Sequence, residues 1–270
     1  ETAFTKVGWS TQVYTTTGSE SLSDVVHQAL AQDISLVVAA GGDGTITEVG
    51  SALAFSEVPL GILPTGTWNA LAHNLGIPLV LEDALHLLTT SHRHMALDAL
   101  KIGERYYLLN VGIGLSASIM QRTKRFQKRR FGFFAYIWNF LAQASGIRLQ
   151  PLKVEVDGKE HRVKVSELMV VNASIIGLGE LPTVLDIHPA DGKVEIIGIC
   201  APDFFGFIRI GLGFLIGRRK AAPGFVSFTA TRSILIRARK RMVVEADGDI
   251  IGRTPLEIYL VPAAVKVIIP

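Results

Sequence analysis

The apolar run Ile34-Ser35-Leu36-Val37-Val38-Ala39-Ala40 stops at Gly41-Gly42-Asp43-Gly44-Thr45 and passes directly into a helical pattern over Ile46-Thr47-Glu48-Val49-Gly50-Ser51-Ala52-Leu53. This strand–glycine–helix order constrains the chain more than any other feature. A continuously apolar strand needs cover on both faces, which a helix returning over the sheet provides. The turn between them is a natural anion cradle. Its glycines let backbone N–H groups approach a ligand, and the helix start adds donors and the positive end of a dipole.

A second turn of this kind follows. Pro59-Leu60-Gly61-Ile62-Leu63 reads as a short buried strand, ending in Pro64-Thr65-Gly66-Thr67, with a helix beginning at Trp68-Asn69-Ala70-Leu71-Ala72 and stopping at Gly76 before Pro78. Upstream, Gln12–Thr16 reads as a short strand, and Ser21 or Ser23 caps a helix with apolar positions Leu22, Val25, Val26, Ala29 and Leu30. Leu81 to Thr89 is one more helix. Alternating strands and helices predict a parallel sheet covered on both faces, with ligands bound at the strands' C-terminal edge. Neither turn is a P-loop, since no Gly-Lys-Ser/Thr follows, and no Gly-x-Gly-x-x-Gly is present.

Past residue 95 the pattern changes. Met95–Ile102 and Arg105–Val111 read as a hairpin around Gly103-Glu104, and Asp157-Gly158 joins two alternating runs, the strongest short hairpin signal. Further strands are predicted at 167–173, 193–199, 225–230, 233–238, 242–246 and 256–261, with helical inserts at about 117–145 and 203–217. The expected fold class is α/β plus β: an N-terminal α/β parallel-sheet nucleotide domain over 1–94, then a mainly antiparallel β-sandwich domain with helical inserts over 95–270. A cleft between them is a common place for a ligand.

With 49% apolar and 19% charged residues the chain is well cored. The net charge of +3 is small, but Arg122, Lys124, Arg125, Lys128, Arg129 and Arg130 crowd together, as do Arg218-Arg219-Lys220 and Arg237, Arg239, Lys240, Arg241. Such clusters suit phosphate or anionic lipid, or are simply solvated. No recognition motif accompanies them, which disfavours nucleic acid. Cys200 is the single cysteine, so no intrachain disulfide forms, in keeping with a reducing cytosol. Phe131–Ile147 is 17 residues without a charge or His, but Asn139, Gln143 and Ser145 interrupt it. A spanning helix needs about 20 mainly apolar residues, so this run is expected to be buried or interfacial. Phe131, Phe134, Trp138 and Leu141 recur at helical spacing behind the basic run, a pattern of a membrane-interface helix or, equally, of a core helix.

Gly-Gly-Asp-Gly-Thr followed by Leu-Pro-x-Gly-Thr-x-Asn-x-x-Ala resembles the diacylglycerol kinase catalytic domain family, which includes bacterial lipid kinases, sphingosine kinases and ceramide kinase. The likeness runs over nearly the whole chain. It takes in Leu109–Ala117, Lys128–Tyr136, Asn172-Ala173-Ser174, Pro189–Val194 and Val244–Asp249. The resemblance implies ATP-dependent phosphorylation of a lipid hydroxyl with Mg2+, at a peripheral membrane surface in the cytoplasm.

By the same resemblance Gly41, Gly42, Asp43, Gly44, Thr45, Ile46 and Thr47 hold nucleotide phosphates, joined by Gly66, Thr67 and Asn69 of the second turn. Thr16 matches a nucleotide-contacting Thr. Asp191, with the carbonyls of His188 and Lys193, matches a structural Mg2+ site, a donor set that Mg2+ accepts when waters complete it. The family's base is the Glu of Asp-Gly-Glu; here that position is Asp249, one methylene shorter, with Asp247 able to share the role. Asp43 is expected to help bind Mg2+–ATP or to orient the acceptor. Without the resemblance, Asp191-Gly192 and Asp247-Gly248-Asp249 both read as hairpin turns.

The family usually opens with a strand ending in Asn-Pro-x-x-Gly. None is present, and a segment preceding Glu1 is expected. Two other readings stay open: an NAD kinase-like phosphotransferase, which shares the Gly-Gly-Asp-Gly turn, and a nucleotide- or lipid-binding regulator whose catalysis has decayed. His92 and His94 read as junction-loop residues, and Trp9, Trp68 and Trp138 as packing residues.

Overall fold

Two sheets organise the chain. The computed structural model describes residues 2–18, 20–90, 92–122, 148–173, 187–215 and 224–270. In order, the elements are α1 (Thr2–Lys6), α2 (Leu22–Leu30), β1 (Val37–Gly41), α3 (Asp43–Ala52), β2 (Leu60–Pro64), α4 (Ala70–Asn74) and α5 (Leu81–Thr89). Next come β3 (Arg93–Ile102), β4 (Arg105–Tyr107), β5 (Asn110–Gly114), α6 (Leu115–Arg122), β6 (Gln150–Val156), β7 (Lys159–Val165), β8 (Glu167–Val171) and β9 (Val194–Ile199). The chain closes with α7 (Phe204–Leu215), β10 (Phe225–Ala230), β11 (Ser233–Ala238), β12 (Val243–Ala246), β13 (Asp249–Arg253) and β14 (Leu256–Ile269).

The first sheet runs β1-β2-β14-β11-β6-β7, with β3 also on β14 and β4 on β3; the second runs β10-β9-β8-β5-β12-β13. β1 and β2 are parallel in full register, and β14 joins β2 in parallel at Val267↔Leu60. The remaining pairs of the first sheet are antiparallel, so this sheet is mixed rather than parallel throughout. The second sheet is antiparallel.

Local signals account for much of the first half. Ser21 Oγ accepts from Asp24 N at 3.3 Å and starts α2. All five residues of β2 are buried, as a strand with neighbours on both edges and cover on both faces requires. α4 ends at Gly76, whose φ of +67° suits the left-handed position just past a helix. Gly50 on α3 has no room for a side chain, because a Cβ there would lie 2.6 Å from Leu108 Cδ1.

One core lies around β1, β2, α3 and α5 and includes Ile46, Leu53, Leu60, Leu71 and Leu97. The other fills the space between the sheets, with Val111, Ile113, Leu168, Ile196, Ile236 and Val244. Each such fully buried aliphatic side chain contributes about 1.5–3 kcal/mol of burial free energy.

Several expectations change. Gln12–Thr16 is not a strand; it lies in an exposed irregular stretch, because a β-prone run becomes a strand only where a sheet edge receives it. The opening residues instead form α1, with Phe4 buried and stacked on Trp9 at 5.7 Å. Trp9 and Trp68, read as packing residues, are 39% and 49% exposed. Helix α4 starts at Ala70, not Trp68, because Asn69 takes a left-handed conformation. The run 105–111 is two strands in different sheets, β4 and β5. Strand β14 is far longer than 256–261, and β13 lies between the predicted strands. The basic run from Thr123, the aromatic stripe at Phe131–Leu141 and Arg218-Arg219-Lys220 lie outside the described residues. No helix among the described residues is long and apolar enough to cross a membrane.

Candidate active site

The two glycine turns touch. A Cβ on Gly66 would sit 2.4 Å from Gly42 Cα, and one on Gly41 would sit 2.7 Å from Thr45 Cβ. Thr65 N donates to Gly41 O at 3.0 Å. Asn69 fastens its own turn: its Oδ1 accepts from Gly66 N at 2.9 Å and its Nδ2 donates to Gly66 O at 3.0 Å. Asp43 Oδ1 accepts from Leu71 N at 3.2 Å, so the acid of the first turn caps the helix that follows the second. Thr67, beside Asn69, is exposed.

Helix α3 begins at Gly42 without a side-chain cap, so its first N–H groups are suited to an anion. Gly44 is exposed and a Cβ there would meet nothing within 4 Å, so nothing in the fold demands its bareness. Ile46 stands apart from the expected phosphate-binding set. Its side chain is fully buried and its N–H donates to Gly42 O, which makes it a core residue. Thr47 is also buried, its Oγ1 turned back to Gly44 O at 3.4 Å. Thr16 lies in the exposed stretch before α2.

The late Asp-Gly-Asp is a hairpin turn between β12 and β13. Asp247 and Gly248 have φ of +46° and +88°, the two positive values of a type I′ turn, and Asp249 is the first residue of β13, paired with Ala246. The Asp247 carboxylate accepts from Leu108 N at 2.9 Å, Leu109 N at 3.0 Å and Asn110 N at 2.9 Å. It thus satisfies the backbone where the chain leaves the first sheet for the second, which is why the run 105–111 breaks there. With these acceptances Asp247 is an anchor, and the shared base role expected for it is not what its contacts favour.

Crowding by protein pushes the Asp247 carboxyl up to about 6, and the negative charge of Asp43 adds to the rise. The two carboxyls are thus close enough for one charge to be felt at the other. Tyr107 is close as well. Burial raises its hydroxyl, as do Asp247 and Asp249, while Arg105 lowers it. Asp249 itself is exposed. Arg105 and Tyr107 carry no motif signal.

The Asp191 turn is tied in from another side. Asp191 Oδ1 accepts from Lys193 N at 2.9 Å, and the residue is exposed together with His188 and Lys193. Buried Asp98 on β3 accepts from Gly192 N at 2.7 Å through Oδ2 and from Ala263 N at 2.9 Å through Oδ1. Asn172 Nδ2 donates to both Asp98 O and Leu108 O at 2.9 Å, linking this turn to the Asp247 anchor. Among the described residues no group of three or more His, Cys, Asp or Glu is gathered for a metal ion. A cation at the Asp191 turn would have one carboxylate oxygen, carbonyls and waters as donors, a set that Mg2+ accepts.

Glu167 and Glu245 are also buried; the sequence does not mark them, because strand alternation cannot tell an outer face covered by a helix from one open to water. Burial drives the Glu167 carboxyl up to about 8, with Glu245 adding to the rise and hydrogen bonds from Ser116 opposing it. An acid whose folded pKa lies above its unfolded one holds its proton better when folded. Stability is therefore greatest below the unfolded value of about 4.5 and falls as pH rises towards 8. Glu167→Gln mimics the protonated acid. It is expected to be more stable than the parent at pH 9 by a few kcal/mol, with the gap closing below pH 5 in urea titrations. A variant that tracks the parent across that range would remove the buried charge as a factor.

Residues 1–102 match the diacylglycerol kinase catalytic domain, and residues 110–269 match the YegS C-terminal NAD kinase beta sandwich-like domain. Diacylglycerol kinase of Bacillus subtilis (strain 168) is 25% identical over 271 residues, covering 99% of this chain and 88% of its own. An uncharacterized protein of Synechocystis is 26% identical over 253 residues; the match takes in 90% of this chain but only 57% of that protein's length. Among solved structures, a diacylglycerol kinase from Bacillus anthracis str. Sterne superposes with a TM-score of 0.71 at 24% identity, over 93% of this chain and 84% of its own. An NAD kinase from Archaeoglobus fulgidus in complex with ATP gives 0.53 at 14% identity, over 99% and 86%. At these identities the two structures speak for the fold.

Proposed function

The chain belongs to the family that joins a diacylglycerol kinase catalytic domain to a YegS-type C-terminal β-sandwich domain, and from that premise we propose that it is an ATP-dependent lipid kinase acting on the hydroxyl of a diacylglycerol-like acceptor. The observation that carries this reading is the contact of the two glycine turns at the uncapped start of α3, where a Cβ on Gly66 would fall 2.4 Å from Gly42 Cα. In this reading the phosphate cradle and the exposed Asp249 carboxylate face one cleft. Residues 1–94 form the nucleotide-binding unit in this reading, and 95–270 carry the acceptor site.

ATP would supply the phosphoryl group, and Mg2+ bound with it would neutralise charge. The open N–H groups at Asp43, Gly44 and Thr45 take the phosphates, with Gly41, Gly42 and Gly66 allowing the two turns to close on each other. Asp249 accepts the proton of the acceptor hydroxyl, the task of a positioned base in phosphoryl transfer. Arg105 offers positive charge beside Tyr107. Asp191, with the carbonyls of His188 and Lys193, would hold a structural Mg2+. A peripheral, cytoplasmic membrane surface is the place of work for an enzyme whose acceptor sits in a bilayer.

Likeness to the NAD kinase fold gives a second reading, with NAD as acceptor. One assay separates them. The full-length protein is incubated with labelled ATP and Mg2+ and, in separate arms, diacylglycerol or sphingoid-base micelles, a total lipid extract, and NAD. Label in a lipid product is the expected result. Label only in NAD phosphate moves the protein to the second reading. ATP binding with no labelled product in any arm leaves the decayed regulator.

A further inference from the structure

Strand β5 carries glycine at two alternate positions: a carboxylate lies over Gly112, while the Ser166 carbonyl and a positive φ restrict Gly114. Val111 and Ile113 point into the core between the sheets, so Asn110, Gly112 and Gly114 lie on the outer face, over which α6 follows. Glu245 on β12 stands opposite Gly112, and Glu167 on β8 stands opposite Gly114. A Cβ on Gly112 would fall 2.4 Å from Glu245 Oε1 and 2.6 Å from Ser116 Oγ. Gly114, at φ +129°, has equally little room, with Ser166 O at 2.4 Å and Glu167 Oε2 at 3.1 Å from a Cβ.

The two glutamates hold different things. Glu167 accepts from Ser116 Oγ at 2.5 Å and from Ser116 N at 2.8 Å, which caps α6 from a neighbouring strand. Glu245 reaches the other way. Its Oε1 accepts from Asn110 Nδ2 at 3.3 Å, and its Oε2 accepts from Gly248 N at 3.2 Å. Gly248 is the second residue of the type I′ turn and the one directly before Asp249. The turn is thus gripped twice, by the Asp247 carboxylate on Leu108, Leu109 and Asn110 and by Glu245 on Gly248.

We propose that Glu245 is a positioning residue for the transfer step: through the Gly248 N–H it fixes the turn that presents Asp249, and Gly112 is bare so that its carboxylate can lie there. This rests on Asp249 acting in the proposed lipid kinase reaction. In this role Glu245 acts through Asp249, by way of the Gly248 N–H.

Three variants test this. Glu245→Met removes the acceptor for Gly248 N at similar volume. Glu245→Gln keeps one, with the Asn110 amide free to turn and meet the new NH2. Gly112→Ala leaves Glu245 in place but pushes aside its carboxylate, a flexible end that can move. Expected is a fall in kcat of about 10-fold or more for Glu245→Met and Gly112→Ala, rescue to within about 3-fold in Glu245→Gln, and ATP Kd unchanged within about 2-fold in all three.

Adding Glu245→Met to Asp249→Asn should cost nothing further, since both act through one group. A further 10-fold loss in the double variant, or wild-type kcat in both Glu245→Met and Gly112→Ala, overturns the proposal. Should the wild type phosphorylate no lipid, the function reading fails by itself. Amide exchange at Gly248 in the full chain then decides this one: faster exchange in Gly112→Ala supports the grip, and parental protection there overturns it.

Discussion

Asp249→Asn is expected to lower lipid-dependent turnover by a factor on the order of 10² to 10⁴, the usual worth of a positioned base. The fold should not register the change. Asp249 is exposed at the first position of β13, and its structural duty is the backbone pairing with Ala246, which Asn keeps. ATP affinity should hold as well, because the phosphate donors proposed for it lie on α3. A thermal melt, an ATP titration and a kcat measurement on the same preparation separate these effects. If turnover survives unchanged, Asp249 is not the base. Asp249→Glu adds a companion expectation. The resembled family has Glu at this position, and a longer arm from the same turn should support turnover at least equal to the parent's.

Where signals are local, the fold could be read from the sequence. Helix α5 occupies Leu81–Thr89 as its periodicity requires, and β6 and β7 meet at Asp157-Gly158, whose φ values of +49° and +88° make the type I′ turn that Asp-Gly announces. Both glycine turns were legible for the same reason. What escaped is non-local. Nothing in Arg105–Val111 says that the chain changes sheets at Leu108-Leu109, because that break is made by a carboxylate 138 residues away from Leu109. The long reach of β14, pairing with β11 at one end and with β2 at the other, depends likewise on partners remote in sequence.

Site roles divide along the same line. Asp43 and Asp249 were visible as motif residues, but only the structure separates an exposed acid from a gripped one. Asp247 holds three backbone N–H groups, and each left unpaired would cost about 1–3 kcal/mol. Its neighbour Glu245 reads as an alternating strand residue on a wet face until α6 is seen to cover that face. Ile46 is the converse, a residue inside a motif whose side chain packs in the core.

A pair of glycine substitutions should part phosphate binding from folding. In Gly44→Ala the new methyl meets no protein atom, and the site lies within a helix, where Ala is favoured over Gly by up to about 1 kcal/mol. Its melting temperature should equal or exceed the parent's. The same methyl stands on the open face where phosphates would come against the α3 N–H groups, so the ATP Kd should rise by about 10-fold or more, read by calorimetry. In Gly66→Ala the methyl would fall 2.4 Å from Gly42 Cα and 2.8 Å from Asn69 Oδ1. Backbone cannot step aside as a side-chain tip can, so the turns are forced apart at a cost of about 1–3 kcal/mol, seen as a lower melting temperature. Both variants lose ATP binding, but only the second loses stability. Parental ATP affinity in Gly44→Ala would mean that the bare face of α3 is not where phosphate sits, and the anion-cradle reading of the first turn would fall with it.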